Sequence, residues 1–443
     1  MSAPLTARII EEYASASRAL PSSGAAAARR RSAIAALAAT GLPTSRDENW
    51  KYANLRPLER QRFIPAAAAQ PLPAPQGLPA ALAGYARYVF VDGSFAPAVS
   101  ATLTSTPAAL TLLAGSDAAA RTSVAEAPES MPGLPVARAG DERFALLTEA
   151  FATDGLAIRA PAATPEPVRL ELLFVASADA QAGASYPRVE LRLDAGARVV
   201  LIERHLSATG EASFVTSAVS VDLAAGASLQ HYRLQELNPR SILFDTLSAD
   251  LAQDATYRLH GISTGAQAAR STLTVRLGGE RSDLTLAVVA LGDRQQVQDT
   301  FALVEHAAPR ARTRQTFRGI SAGRARVAFN GKIVVAEGAP GTDSQQSLRG
   351  LLAGPEAEID LRPQLEIYTD EVRCSHGATA GKLDENMLFY LLSRGLTRDT
   401  AQRLLKWAFL EDVIAQITLP ALRRQIEEHV AGQLRDDTLR ELL

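Results

Sequence analysis

Between about Val168 and Thr379, apolar and polar residues alternate in short runs. Val168-Arg-Leu-Glu-Leu-Leu-Phe-Val175 and Val189-Glu-Leu-Arg-Leu193 carry the period-two spacing of strands and are bounded by small residues. Two such runs feed the same turn, Leu193-Asp-Ala-Gly-Ala-Arg198 and Leu223-Ala-Ala-Gly-Ala-Ser228, which places Gly196 and Gly226 at an interval of 30 residues. A degenerate third copy, Leu251-Ala-Gln-Asp-Ala-Thr256, follows at a similar interval. A weak strand repeat of this length predicts a solenoid whose coils stack their apolar faces. Helical spacing is scarce across the region, so the strand-helix alternation of a doubly wound sheet is missing. The strand runs are not joined by Asn-Gly hairpin turns, which favours a parallel β-helix over a large sandwich.

Helical spacing appears on both flanks. Leu5 to Leu20 and Ala25 to Ala39 are rich in Ala and Arg, with Gly24 and Gly41 as punctuation. Trp50 and Tyr52 follow within Asp47-Glu-Asn-Trp-Lys-Tyr-Ala-Asn-Leu55 and are expected to anchor a small helical domain. Pro65 to Pro79 reads as a semi-rigid linker. After Gly381 helix returns. Asp384 caps Glu385 to Arg394 with Gly395 as the stop, and Thr397 caps a helix carrying Ala401, Leu404, Leu405, Ala408 and Phe409 on one stripe. Pro420 ends that helix, and the charged run 421–443 is expected to be helical as well. An apolar stripe ordinarily faces its own core. On helices appended to a solenoid, partner docking by Leu404, Leu405, Ala408 and Phe409 is the rival reading. The expected division is a helical region at 1–64, a linker at 65–82, a β-helix core at 83–380 and a C-terminal helical domain at 381–443.

The 443 residues hold 46 basic and 48 acidic side chains, a net charge of −2, which excludes the basic footprint of a nucleic-acid binder. No apolar run approaches the roughly 20 residues that cross a bilayer, and Glu11 and Glu12 interrupt any secretory core. The expectation is a soluble, unprocessed, cytoplasmic chain with no membrane partner. A single cysteine excludes an intramolecular disulfide.

That cysteine is the chemical feature of the chain. In Val372-Arg-Cys-Ser-His-Gly-Ala-Thr379, Cys374 and His376 are two apart, and on a strand they share a face. A thiolate and an imidazole side by side form half of a metal site; the bland alternative is a small buried hydrophobe beside a satisfied histidine. Other motifs fail. Gly377-Ala-Thr-Ala-Gly381-Lys382-Leu383 spaces its glycines one residue too closely for a phosphate loop and has Leu383 where a hydroxyl must ligate magnesium. Asn330-Gly331-Lys332-Ile333 lacks the upstream glycine and the hydroxyl, and no nucleophile elbow, zincin helix or paired-cysteine zinc spacing occurs. His205, His231, His260, His306 and His429 are scattered and read as structural.

Taken in order, Asn330-Gly-Lys-Ile-Val-Val335, Gln345-Gln346, Pro363-Gln-Leu-Glu-Ile367, Asp370-Glu-Val-Arg-Cys-Ser-His-Gly-Ala-Thr379 and Leu388-Phe-Tyr-Leu-Leu-Ser-Arg-Gly395 resemble the SufB/SufD family of iron-sulfur cluster assembly proteins. Trp50-Lys-Tyr, His-Gly-Ala-Thr and the lone cysteine place the resemblance on the SufD side. It implies a right-handed parallel β-helix flanked by helices, pairing with SufB, and C-terminal helices that dock the ATPase SufC. It also implies a non-catalytic scaffold, with ATP hydrolysis in SufC and His376 at the SufB–SufD interface where a transient iron-sulfur cluster assembles. Cys374 is the second candidate, and Glu366, Asp370 and Glu371 are candidates for tuning the site. Under the resemblance no cluster is held stably by this chain alone, a reduced flavin in the full complex is left open, and the isolated chain is a candidate homodimer.

Two other classes stay open at this point. Parallel β-helices also host polysaccharide lyases and hydrolases, which would set Asp, Glu, Arg and Lys on one solenoid face. A homodimeric scaffold unrelated to metals is the other.

Overall fold

The computed structural model describes residues 2–20, 24–65, 77–101, 109–112, 141–162, 164–177 and 183–434. Most of the linker expected at 65–82, and the end of the C-terminal run, lie outside them. The chain opens with helices α1 (Ser2–Ala16) and α2 (Gly24–Thr40), then the short α3 (Arg56–Arg60). Strands β1 (Ile64–Pro65), β2 (Ala86–Val91), β3 (Ser94–Phe95) and β4 (Ala109–Leu112) precede α4 (Arg143–Phe151). Then come β5 (Gly155–Ala160), β6 (Val168–Ala176), β7 (Gly183–Ser185), β8 (Arg188–Leu193), β9 (Arg198–Ser207), β10 (Ser213–Leu223), β11 (Ser228–Glu236) and β12 (Ile242–Leu251). The run continues with β13 (Thr256–Ser263), β14 (Ala268–Leu277), β15 (Asp283–Gly292), β16 (Val297–His306), β17 (Arg312–Ser321), β18 (Arg326–Val335), β19 (Asp343–Leu352), β20 (Glu358–Ile367) and β21 (Arg373–Gly381). Helices α5 (Glu385–Ser393), α6 (Arg398–Ile414) and α7 (Pro420–Gln433) close the described chain.

From β8 onward, consecutive strands alternate between two sheets, and each pairs in parallel with the strand two places on. That is a parallel β-solenoid of about seven coils, with helices at both ends, as the strand repeat predicts. Register is kept strictly: β12 meets β14, and β14 meets β16, over ten residues without a slip. The interior columns explain this, because a one-residue slip would turn every lumen side chain outward. Leu229, Tyr257 and Leu284, neighbours in successive coils, are all buried.

The repeated turn runs further than its sequence copies. Gly196 and Gly226 sit at φ +71° and +67°, and the same place is taken by Asp254, Arg281, Arg310 and Gly341, all at positive φ. Each donates its amide to the turn of the next coil, Gly196 to the Ala225 carbonyl and Gly341 to that of Glu371. Glycine adopts this conformation without strain, whereas a side chain there costs about 1–2 kcal/mol, offset here by the inter-coil hydrogen bond.

Strands buried on both faces follow from two coverings. The N-terminal helices and α4 pack on the outer face of the sheet holding β10, β12 and β14, against Phe214, Ile242, Phe244 and Ala268. Trp50 is buried there, stacked on Phe144 at 5.2 Å, with the Arg270 guanidinium 4.3 Å over its ring. The expected aromatic anchor therefore fastens the helical region to the solenoid itself. On the outer face of the other sheet, α6 and α7 bury Leu410, Val413, Ile414, Leu422, Ile426 and Val430 against Val200, Ile202, Tyr232, Ile262, Val289 and Ile320. At about 1.5–3 kcal/mol for each large apolar side chain, that contact holds the two helices to the sheet far above thermal energy.

Candidate functional site at the open end of the solenoid

The last coil differs from those before it. β20 pairs only with β18, and β21 only with β19, so both sheets end on strands with a free edge among the described residues. A strand in this position offers unpaired amides and carbonyls to another chain. Nearly all of β21 is exposed.

Cys374 and His376 lie on β21, in register with Ser344 and Gln346 of β19. Ser344 and Gln346 are inward and buried, so the cysteine and histidine share the lumen-facing side, as their spacing predicts. Among the described residues no coil closes over them. His376 is exposed, whereas Cys374 is half-buried against the end of the apolar core. Burial pushes the Cys374 thiol up, opposed by the Ser344 backbone amide, so the isolated chain holds it as a thiol. His376 lines a cleft of about 380 Å³ with Gln315, Gln346, Arg314, Arg349 and Thr379. Among the described residues, no group of three or more His, Cys, Asp or Glu side chains converges as metal ligands.

The lumen becomes polar as it approaches this end. One column runs Leu259, Leu286, Gln315, Gln346, His376, and its neighbour runs Tyr257, Leu284, Thr313, Ser344, Cys374. On the outer face a third column alternates in charge, Asp283, Arg312, Asp343, Arg373, and stops on the arginine at the free edge. A hydrogen bond from Arg314, helped by Arg312 and Arg373, holds the Asp343 carboxyl below the usual range against a smaller effect of burial.

Of the acidic candidates, Glu366 pairs with Lys332 at 2.7 Å, while Asp370 and Glu371 lie in the turn before β21 beside Arg373. Asp384 and Thr397 cap α5 and α6 through the expected hydrogen bonds. On α6 the sheet-facing side is Trp407, Leu410 and Ile414. Leu404 and Phe409 are half-buried at the edges of that contact and pack against it, while Leu405, half-buried, and Ala408, exposed, lie off it. The sequence reading placed α5 but missed its exposed apolar patch, where Met387, Phe389 and Tyr390 are exposed by 59%, 72% and 57% on one short helix. The signal was present in Asn-Met-Leu-Phe-Tyr-Leu-Leu, which is apolar around most of the helix.

A second group of titratable residues lies mid-lumen. His205 and His231, scattered in sequence, meet at Glu203: its carboxylate accepts from His205 at 2.8 Å, His231 at 3.1 Å and Arg233 at 2.8 and 3.1 Å. Arg233 also reaches Asp245 at 2.6 Å, and His231 the Tyr257 hydroxyl at 3.0 Å. Burial alone would raise the Glu203 carboxyl, but Arg233 and the two imidazoles hold it well below the usual range. This buried ion pair is structural.

Comparison with known proteins decides the family. Residues 174–409 match the model for the SufBD core domain of the SUF system of FeS cluster assembly. The chain belongs to the SufBD family. It is 32% identical over 397 residues to the iron-sulfur cluster assembly protein SufD of Escherichia coli K12, covering 89% of this chain and 90% of that protein. A SufBD family protein of Synechocystis is 28% identical over 418 residues, 91% of this chain and 90% of the relative. The chloroplastic protein ABCI7 of Arabidopsis thaliana is 30% identical over 254 residues, 56% of this chain and 53% of that protein. The SufD-like resemblance is borne out, and it weighs against the glycan-processing alternative. Among the described residues, no helix is long and apolar enough to cross a membrane.

Proposed function

We propose that this SufD-like chain is a non-catalytic scaffold subunit. Its open end pairs with SufB, its residues 381–443 dock the ATPase SufC, and His376 offers an imidazole to an iron-sulfur cluster built between the two subunits. The observation that supports this reading is that His376 sits exposed on a strand whose outer edge has no partner among the described residues. The cluster is cargo. A cluster needs about four protein ligands, and this strand supplies His376 and at most Cys374, so the remaining thiolates come from the second chain. Replacing a thiolate by a neutral imidazole makes the cluster less negative and raises its potential.

The exposed Met387, Phe389, Tyr390 and Ala408, with the accessible parts of the half-buried Leu404, Leu405 and Phe409, are the SufC-docking surface in this reading. ATP-driven motion of SufC would reach the solenoid through α6, which is fastened to β17 by the Arg318–Asp412 ion pair and by its buried apolar side. The test is co-expression with SufB and SufC, anaerobic isolation and absorption spectroscopy of wild type, His376→Ala and Cys374→Ala. His376→Ala is expected to leave the complex intact and remove the cluster absorption. Wild-type cluster content in that variant would overturn the reading.

A further inference from the structure

We infer that Gln346 is a positioning residue for His376, fixing which ring nitrogen of the imidazole faces the cluster. The inference rests on the role of His376 proposed above. Gln346 is 3% exposed and directly precedes His376 in the same lumen column, one strand spacing away, and both line the same cleft. Its amide nitrogen donates to the Gln315 Oε1 at 2.8 Å and to the Gly331 carbonyl at 3.3 Å, across the lumen in the other sheet. A backbone carbonyl can only accept, so the Gly331 contact settles which end of the Gln346 amide is nitrogen. Oε1 is then the free end, and it is buried with no hydrogen-bond partner.

Gly331 makes the arrangement possible. A Cβ at that position would lie 2.1 Å from Gln346 Nε2, so a larger residue would push the amide out of its seat. Deeper in the same column Leu259 and Leu286 fill the space with no polar group; amides begin at Gln315, which takes up only the nitrogen end of Gln346. A buried carbonyl oxygen without a donor costs about 1–3 kcal/mol. The imidazole of His376, one strand away in the same column, is placed to supply the missing donor, and among the described residues the ring has no hydrogen-bond partner. Histidines that bind metal ordinarily donate their second ring N–H to such an acceptor, which sets the tautomer and ring orientation.

The test reads the tautomer directly. The full chain, alone and with its partners, is labelled with ¹⁵N-histidine and examined by long-range imidazole NMR at a pH about two units above the ordinary histidine value. His376→Ala assigns the resonance. Wild type is expected to show a single tautomer at His376, and Gln346→Leu a mixture of both. Leu fits because it already occupies this column twice. Gly331→Ala, which displaces the amide without removing it, is expected to give the same mixture. Cluster content of the Gln346→Leu complex should fall ten- to a hundredfold with subunit association unchanged. A mixed tautomer in wild type, or an unchanged one in folded Gln346→Leu, overturns the inference and leaves the role of His376 standing. Full cluster content in His376→Ala removes that role, and the positioning role falls with it.

Discussion

The two ends of the solenoid are made from the same coil and finished in opposite ways. At the N-terminal end each sheet closes with a reversal: β4 lies antiparallel on β5, and β3 antiparallel on β2. Helices and aromatic side chains then cover the outer face. At the C-terminal end neither β20 nor β21 has a strand beyond it among the described residues, and Ile367, Tyr368 and most of β21 face solvent. A solenoid must treat its end strands, because a free edge beside an apolar lumen invites association. One end has been capped, and the other has been left with two open strand edges, the surface on which the proposed pairing with a second chain rests.

The contrast makes its largest claim about stability. Glu203→Ala, in the closed interior, leaves Arg233 half-paired in the lumen and should cost about 3–5 kcal/mol in urea or thermal unfolding. A loss below about 1 kcal/mol would mean that the mid-lumen is as tolerant as the end. Next comes Ala378→Pro at the open end. Arg373 donates its amide to Thr342 within the sheet, so the alternate residues, Ala378 among them, point their amides at the free edge. Subunit association should weaken at least a hundredfold while the melting temperature of the chain alone stays put, as sedimentation and calorimetry can check.

Burial also predicts a pH response from closed regions. His260 and His306 are held down to about 4, chiefly by burial. Between pH 6.5 and 4 the unfolded chain takes up protons that the fold excludes, so stability is complete above that window and falls as the pH drops through it. At pH 5 each group removes about 2 kcal/mol, and His306→Leu should flatten the melting profile between pH 7 and 5 by one such share. The smallest effect sharpens the chemistry of the open edge. The alternating outer column stops on Arg373, so a partner strand should bring an acidic residue to that register. Arg373→Glu should change folding stability by less than about 0.5 kcal/mol yet weaken association roughly tenfold. Equal association would show that the column ends at the subunit boundary.

Much of this was legible along the chain. Gly196 and Gly226 announced the turn because a left-handed residue favours glycine. Asp254 marked it faintly, and Arg281 and Arg310 not at all, since a stack of coils can impose that conformation on a residue that does not prefer it. Asp384 and Thr397 were readable because caps are local. The stripe on α6 was readable as apolar, but which side of the helix meets the sheet was not: Trp407, Leu410 and Ile414 take that place. The meeting of His205 and His231 at Glu203 was hidden by intervals of 26 to 28 residues that only the coil register converts into contact.

Local patterning thus determined the class of fold, its repeat, the caps of α5 and α6 and the placing of Cys374 and His376 on one face, but not α4, nor that α6 stops at Ile414 with Pro420 opening α7. The former follow from the chemistry of neighbours a few residues apart. Tertiary structure alone decided that this face turns inward at the last coil of the described residues, that Gln346 and Gly331 meet across the lumen beneath it, and that Arg373 ends its column there. Such relations depend on the stacking of coils about thirty residues apart, and that stacking exists only once the lumen is packed.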